Sequence, residues 1–409
     1  MKIRQTLPHA ATILWLAINA PLVALADVPI VKNTDPAEPP LTLKLAEVWR
    51  VGGEDADLLF GTVTETATDP EGNVYLLDSQ LCRVVVISPQ GEHLRTLSRE
   101  GDGPGEVRQP RDVVLLPDGT VGIMMMFPAK IVRLSREGEP RESVTVTFGE
   151  GGFTAGALCA CRGGNLVLGA TKLIQTETGQ DRVLYLCRLS DSGQELARYC
   201  ETRMTLDFRK LHFVERDLSP GFHSAMTLGP DGRVYVAQAW DRYAIEIYHS
   251  DGALERVIER RFQNRRRTEQ ELRRVNALFD ASAANNPYGE TREIEACPQV
   301  ITGLHVDDAG RLWVLHSRSD EDLPDGVMQS YDLFARDGRY LRRVHVACEG
   351  NSTYDGLQFL SDGRVLLIKG FVLATTAQSD LGSIPLGEEE ESSNMEFVCY
   401  RLATPLVPD

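Results

Sequence analysis

Nine side chains able to do chemistry stand at matched distances from a repeated glycine. Glu65 and Asp112 each lie seven residues before one, His223 and Tyr354 nine before, and His305 five before; Asp78, Gln238, His316 and Lys369 each lie six after. Carboxylate, imidazole, phenol, amide and ammonium groups at equivalent positions of a repeat can surround one asymmetric ligand. His223, Gln238, His316, Tyr354, Lys369, Asp112 and Glu65 are therefore the candidate ligand-binding residues. Imidazole is also a common zinc ligand, so His223, His305 and His316 are the residues that would hold a metal ion. No ligand spacing supports that set, and no cofactor signature occurs. Asp78, five residues before Arg83, reads as a strand-end ion pair, and His305 as a hydrogen-bonded core histidine. No catalytic residue can be assigned: the chain has no G-x-S-x-G elbow, H-E-x-x-H, EF-hand loop or Walker loop.

One glycine-rich stretch, "EGDGPGEVRQP" at 100–110, invites comparison with a phosphate loop. It lacks the Lys and following helix that such a loop needs. Val107 and Arg108 lead instead to Pro110 and the extended "DVVLL". Its glycines let the chain reverse, and ligand contact by Glu106 or Arg108 is a secondary role.

The repeated glycine belongs to a unit of polar residue, Gly and apolar strand. It recurs six times: "DPEGNVYLLD", "LPDGTVGIMM", "CRGGNLVLGA", "GPDGRVYVAQ", "DDAGRLWVLH" and "LSDGRVLLIK". Each Gly falls where a tight turn needs positive φ. A second turn follows in five copies, at Gly91, Gly138, Gly193, Gly252 and Gly338, each preceded by another strand. Strand, turn, strand, loop, strand, turn, strand, repeated around a ring, is the signature of a β-propeller. The expectation is an all-β, six-bladed β-propeller over 41–409 with four antiparallel strands per blade. The sixth copy lacks a fourth strand, and "LTLKLAEVWRV" at 41–51 is expected to close that last blade and protect its edge.

"EVWRVGG", "DPEGNVYLLDSQLCRVVVISPQGE" and "REGDGPGEVRQPRDVVLLPDG" resemble NHL-type repeats. Through them the chain is similar to exported bacterial six-bladed propellers related to that family. The resemblance implies fold rather than activity, because this architecture hosts unrelated functions. Metal-dependent lactonases and a copper- and zinc-assisted lyase are among them, and their site residues cannot be matched here.

Topology sorts the loops. Both Gly turns of a blade lie on one face of the disc; second-to-third loops and blade connections lie on the other. Copies one, two and four take 19, 19 and 20 residues between the two glycines, while copies three and five take 29 and 28. The surplus is expected in second-to-third loops, about 171–181 and 317–328, with further insertions at 201–221, 262–297 and 370–394. All fall on one face, so that face is read as the binding face. The 262–297 connection is expected to hold a helix: Thr268 with Glu271 forms a capping box, and Leu272, Val275, Leu278 and Phe279 share a side. Arg265, Arg266 and Arg267 precede it, and Arg273 and Arg274 occupy its polar side.

The first 26 residues read as a secretory signal: Lys2 and Arg4, an apolar run, then Ala24 and Ala26 before the cut. Residues 27–40 read as a Pro-containing linker. Formal charge is −16, and −18 once Lys2 and Arg4 leave, which argues against nucleic acid as a partner. No later stretch is apolar enough to span a bilayer. Of eight cysteines, Cys297 and Cys348 are the pair expected to bridge, since export permits oxidation. The resulting reading is a monomeric periplasmic or extracellular module binding a protein, peptide or glycan. The alternatives are a metal-assisted lyase or hydrolase at the channel mouth, and a structural part of an envelope assembly.

Overall fold

Short apolar runs between glycine turns pair with their neighbours in the chain, as hairpin geometry dictates. In the computed structural model the described residues are 28–54, 56–146, 151–218, 221–284, 290–360, 362–372, 374 and 394–402. The expected signal segment and the acidic "GEEEESS" lie outside them.

Strands β1 (Ile30–Asn33) and β2 (Leu41–Gly52) come first. β3 (Val63–Thr68), β4 (Val74–Asp78), β5 (Arg83–Ile87) and β6 (His93–Leu97) form one antiparallel blade. β7 (Pro110–Leu115), β8 (Val121–Met125), β9 (Lys130–Leu134) and β10 (Pro140–Thr145) form the next. β11 (Phe153–Arg162), β12 (Asn165–Gln175), β13 (Gly179–Leu189) and β14 (Glu195–Asp207) form a third. After β15 (Leu211–Val214), α1 (Glu215–Leu218) and α2 (Gly221–Ser224) come β16 (Met226–Leu228), β17 (Val234–Val236), β18 (Ala244–Tyr248) and β19 (Leu254–Arg260). β1 adds to β19 in parallel, so this fourth blade has five strands. Part of the stretch read as a linker is thus a strand. Asn33 at its end ties it down: its Nδ2 donates to Gly338 O at 3.0 Å and its Oδ1 accepts from Tyr340 N at 2.9 Å.

Helix α3 (Glu269–Ala284) and β20 (Glu290–Glu293) follow, and β20 pairs in parallel with β15. The two long connections therefore meet in a small two-stranded sheet. The capping box forms as read: Glu271 N donates to Thr268 Oγ1 at 3.2 Å and Thr268 N to Glu271 Oε2 at 2.7 Å.

The remaining strands depart from expectation. β21 (Ile301–Val306), β22 (Leu312–His316), β23 (Val327–Phe334), β24 (Tyr340–Ala347), β25 (Gly356–Phe359), β26 (Val365–Lys369) and β27 (Glu396–Leu402) do not make two separate blades. With β2 they form one eight-stranded sheet, in the order β21-β22-β23-β24-β2-β27-β26-β25. The expectation of six blades is corrected accordingly: among the described residues four blades stand alone beside this fused sheet. The cause is the length of β2. Its 12 residues exceed the five of a typical strand here. Leu41–Lys44 run parallel to β24, and Leu45–Gly52 run antiparallel to β27.

The first strands of the repeats line the axis. β3 lies against β7, β7 against β11, β11 against β16, and β16 against β21. The ring closes where His305 on β21 stacks on Phe359 of β25, and where Thr66 of β3 donates to Gln358 at 2.6 Å. The core is divided into wedges between adjacent sheets. Leu77, Val84, Val113 and Ile123 fill one; Tyr235, Ile245, Leu312 and Phe334 fill another. Each fully buried Val, Leu, Ile or Phe side chain among them contributes roughly 1.5–3 kcal/mol.

The surplus of copy three also differs from expectation. Residues 171–175 and 179–181 are not loop but continuations of β12 and β13, paired out to Gln175 opposite Gln180. The blade projects beyond its neighbours as a regular hairpin.

The seam at β2 can be tested at Gly91. Its φ is +91°, and an added Cβ would lie 2.5 Å from Trp49 Cβ on β2. Gly91→Ala is expected to cost about 2–4 kcal/mol, combining backbone strain and overpacking. Gly119→Ala, with similar φ but nothing within 4 Å, should cost about 1 kcal/mol from the backbone alone. Denaturant titration of the two variants checks the difference.

Candidate ligand-binding site

The inner strands carry β-bulges near the ends that face the inserted loops. Pairing shifts between Val63 and Glu65, Pro110 and Asp112, Gly156 and Leu158, and Ile301 and Gly303. A bulge re-aims the side chains beyond it. Here it brings two of the candidate residues together. Asp112 is buried; its Oδ1 accepts from Val113 N and its Oδ2 from Cys159 N, both at 2.8 Å. Burial pushes its carboxyl up to about 7, against the two backbone donors, which pull it down. Glu65 is raised well above the usual carboxylate range, first by burial and then by the Asp112 charge. Glu65 retains some accessible surface, but it stands on β3 where that strand packs against β7, and desolvation still dominates. Two adjacent carboxyls in such a setting titrate as a pair.

His316 belongs to a different constellation. It ends β22, and its ring lies between two partners. Arg318 N donates to Nδ1 at 3.2 Å, and Nε2 stands 3.3 Å from Asp332 Oδ2 on β23. The accepting Nδ1 places the proton of neutral imidazole on Nε2, toward Asp332. Asp332 is almost fully buried. Its Oδ2 also accepts from Tyr243 Oη at 2.8 Å and pairs with Arg260, and its Oδ1 accepts from Tyr340 Oη at 2.7 Å. Burial alone would raise this carboxyl; the His316 hydrogen bond and the Arg260 charge outweigh it and hold it low. Arg260 is sandwiched as well, its Cζ 4.6 Å from the Tyr340 ring centre and 5.3 Å from that of Tyr243.

Above this buried ion pair two cavities open on the insert-bearing face. One, of about 220 Å³, is lined by Arg260, Arg261, Phe262, His316, Arg318 and Arg343 among others. Its neighbour, of about 420 Å³, shares Arg260, Arg261 and Phe262 and reaches Lys32, Arg242 and Tyr243. Both lie where the 262–297 connection leaves β19. Arg265 and Arg267, at the root of α3, are held by Glu271 and Glu215 through paired contacts of 2.6–2.8 Å.

The other candidates do not join this site. Gln238 donates to Glu246 and, at 3.4 Å, to Tyr248 Oη within its own blade. Lys369 pairs with Glu396 at 2.7 Å and Glu349 at 3.0 Å, beside Arg50. Tyr354 precedes β25, and its carbonyl accepts from Val372 N. The His223 side chain lies outside the described residues. His305 pairs opposite Trp313, at the far end of the strands from His316, which lies opposite Ile301. Its ring stacks on Phe359 at 4.8 Å, and burial followed by the Arg162 charge push it down to about 4. It lines a third cavity, of about 640 Å³, on the glycine-turn face. His305 and His316 therefore cannot share one metal ion. Among the described residues, no three His, Cys, Asp or Glu side chains gather in a way that could hold one.

Asp78 is structural, as read: it accepts from Gly61, Thr62 and Leu81 N–H groups and pairs with Arg83 at 3.3 Å. The Gly-rich loop is closed on itself, with Glu106 bonded to Arg99 and Gly103 N, and Arg108 to Glu100 and Asp102. Cys297 and Cys348 are free thiols, so the expected bridge is not formed; Cys348 Sγ sits 3.6 Å from Met328 Sδ. His212, on β15, bonds Thr291 Oγ1 at 2.9 Å and stands 3.5 Å from Glu293, both on β20.

Sequence reasoning missed Asp332, Arg260, Arg318 and Arg343. A signal existed for the first: "YDLFA" sets one carboxylate into an otherwise apolar strand, where an unpaired charge is not tolerated.

No family model matches the sequence, and no curated protein matches it either. Solved structures do. The chain is similar to a Bacteroides fragilis protein described as exported, with a TM-score of 0.52 at 10% identity, covering 92% of this chain and 100% of that one. It is similar to virginiamycin B lyase from Staphylococcus aureus, with a TM-score of 0.41 at 10% identity over 88% and 99% of the two chains. Regucalcin, a calcium-binding protein from Agrobacterium tumefaciens, gives 0.44 at 11% identity over 91% and 99%. At these identities the first likeness shows fold alone, and the lower-scoring two add nothing to it. The fold is an all-β propeller. No helix among the described residues is long and apolar enough to cross a membrane.

Two outcomes follow from these charges. Asp112 has a folded value near 7 against an ordinary 3.8, so the unfolded chain ionises first as pH rises. Wild-type stability should therefore fall between about pH 4 and about pH 7, and Asp112→Asn should flatten that slope in denaturant titrations across the range. Asp332→Asn leaves Arg260 buried without its counter-charge and should cost about 3–5 kcal/mol at neutral pH, measured the same way.

Proposed function

We propose that this chain is an exported bacterial propeller of the NHL-like repeat type that binds a protein, peptide or glycan ligand on its insert-bearing face. It acts outside the cytoplasm, as a monomer, and not on nucleic acid. The observation that carries the reading is the cavity over Asp332. It is walled by side chains from β19, β22, β23 and β24, and it lies beside the helical insertion. Rigid strands supply the floor and variable loops the rim, which is the usual division of labour at a binding site. A metal-assisted lyase or hydrolase reading finds less support, because both ring nitrogens of His316 are occupied.

Screening against defined peptide and glycan arrays tests the proposal. A ligand found there should bind Arg261→Glu about tenfold or more weakly, the loss of one charged contact. Arg401→Glu, exposed on β27 and lining the cavity of the opposite face, should leave binding unchanged. Equal effects of both, or loss only with Arg401→Glu, would overturn the assignment of the face.

A further inference from the structure

Resting on that reading of the site, we infer that the ligand group taken into the cavity over Asp332 is an oxyanion: a carboxylate, sulfate or phosphate carried by the ligand. The charge inventory supports this first. Arg260, Arg261, Arg318 and Arg343 line the smaller cavity, against Asp332 alone. Asp332 is not open to a ligand, since His316, Arg260, Tyr243 and Tyr340 occupy both its oxygens. Glu321 at the rim pairs with Arg318 at 2.7 Å and stands 3.6 Å from Arg265. In the adjoining cavity Lys32, Arg242, Arg260 and Arg261 face Asp241 and Glu259. A local positive surplus in a chain of net charge −16 focuses anions at this mouth.

The donors matter more than the sum. Arg343 bonds only neutral acceptors: Ser330 Oγ at 2.8 Å, Arg318 O at 2.9 Å and Glu321 O at 3.4 Å. Among the described residues no carboxylate lies within ion-pair distance of Arg343 or Arg261. Arg343 is positioned by those acceptors, and both charges are left uncompensated. A guanidinium offers planar paired donors that match a carboxylate or a tetrahedral oxyanion. The ring of Phe262, 5.2 Å from that of His316, forms an apolar wall that would strengthen such a contact by excluding water.

Titration of the whole chain with acetate, glucuronate, sulfate and inorganic phosphate at constant ionic strength, followed by calorimetry and thermal shift, tests the inference. Saturable binding of at least one is expected, and the strongest of the four identifies the source of the oxyanion. Arg261→Gln, at an exposed position, should weaken it about tenfold or more without lowering the melting temperature of the free protein. Arg343→Gln should weaken it further. Absence of saturable binding to all four, or binding indifferent to both substitutions, overturns the inference. If a neutral array ligand instead binds, is weakened by Arg261→Glu and is not displaced by the anions, the oxyanion assignment fails while the binding face stands. If an anion binds but only Arg401→Glu weakens it, both fail.

Discussion

A sheet edge that faces no partner leaves a row of backbone donors and acceptors open, and a ring of blades keeps such edges few and short. In this chain that constraint falls on β2. The strand arrives before any repeat has formed, yet it pairs with β24 over Leu41–Lys44 and with β27 over Leu45–Gly52. It thereby covers the outer edge of one set of strands and completes the other. Trp49 and Leu43 then bury on opposite sides, one packed with Phe60 and Phe397, the other with Trp313 and Leu333. Hydrogen bonding and core packing are coupled through one segment, so the chain ends hold each other.

The repeat was legible because its turns depend on local stereochemistry. A glycine at positive φ donates to the carbonyl three residues back, as Gly72 does to Asp69 at 2.9 Å and Gly91 to Ser88 at 3.0 Å. The capping box of α3 was legible for the same reason, since Thr268 and Glu271 satisfy each other within one turn. The pairing of β2 with two partners was not. The sequence showed the strand, but which edges it would meet depends on residues some 300 positions away. Likewise, the surplus in copy three could be counted but not assigned to loop or strand. Neither "ATKLIQ" nor "GQDRVLYL" alternates apolar and polar residues, and only their pairing shows them to be a ladder.

The site was legible in part. Counting from each glycine put Glu65 and Asp112 at equivalent positions of two blades and His316 at the end of a second strand, within one cluster. It could not separate them, because equivalent positions in a ring lie on different blades. The bulges added to this: a shift of one residue re-aims a side chain, and no local signal marks where it occurs. His316 and Gln238 occupy matching positions, yet one lies against Asp332 and the other against Glu246. Strand position determines where a side chain starts, and the adjacent strand of the same sheet determines what it meets.

Asp332 and the basic cavity are best understood together. A carboxylate this deeply buried is costly unless its partners are close and well oriented. Two tyrosines, an imidazole and a guanidinium meet that demand. The arrangement also fixes Arg260, whose guanidinium is stacked on two rings and bonded on one edge while its Nε is left without a partner. An arginine so immobilised has already lost the rotamer freedom that a surface arginine would surrender on binding. Arg343 is likewise fixed by a hydroxyl and two carbonyls rather than by a counter-charge. The buried ion pair therefore serves as the rigid floor of a pre-organised cationic recess, and the inserted connection supplies part of its rim through Phe262 and Gln263.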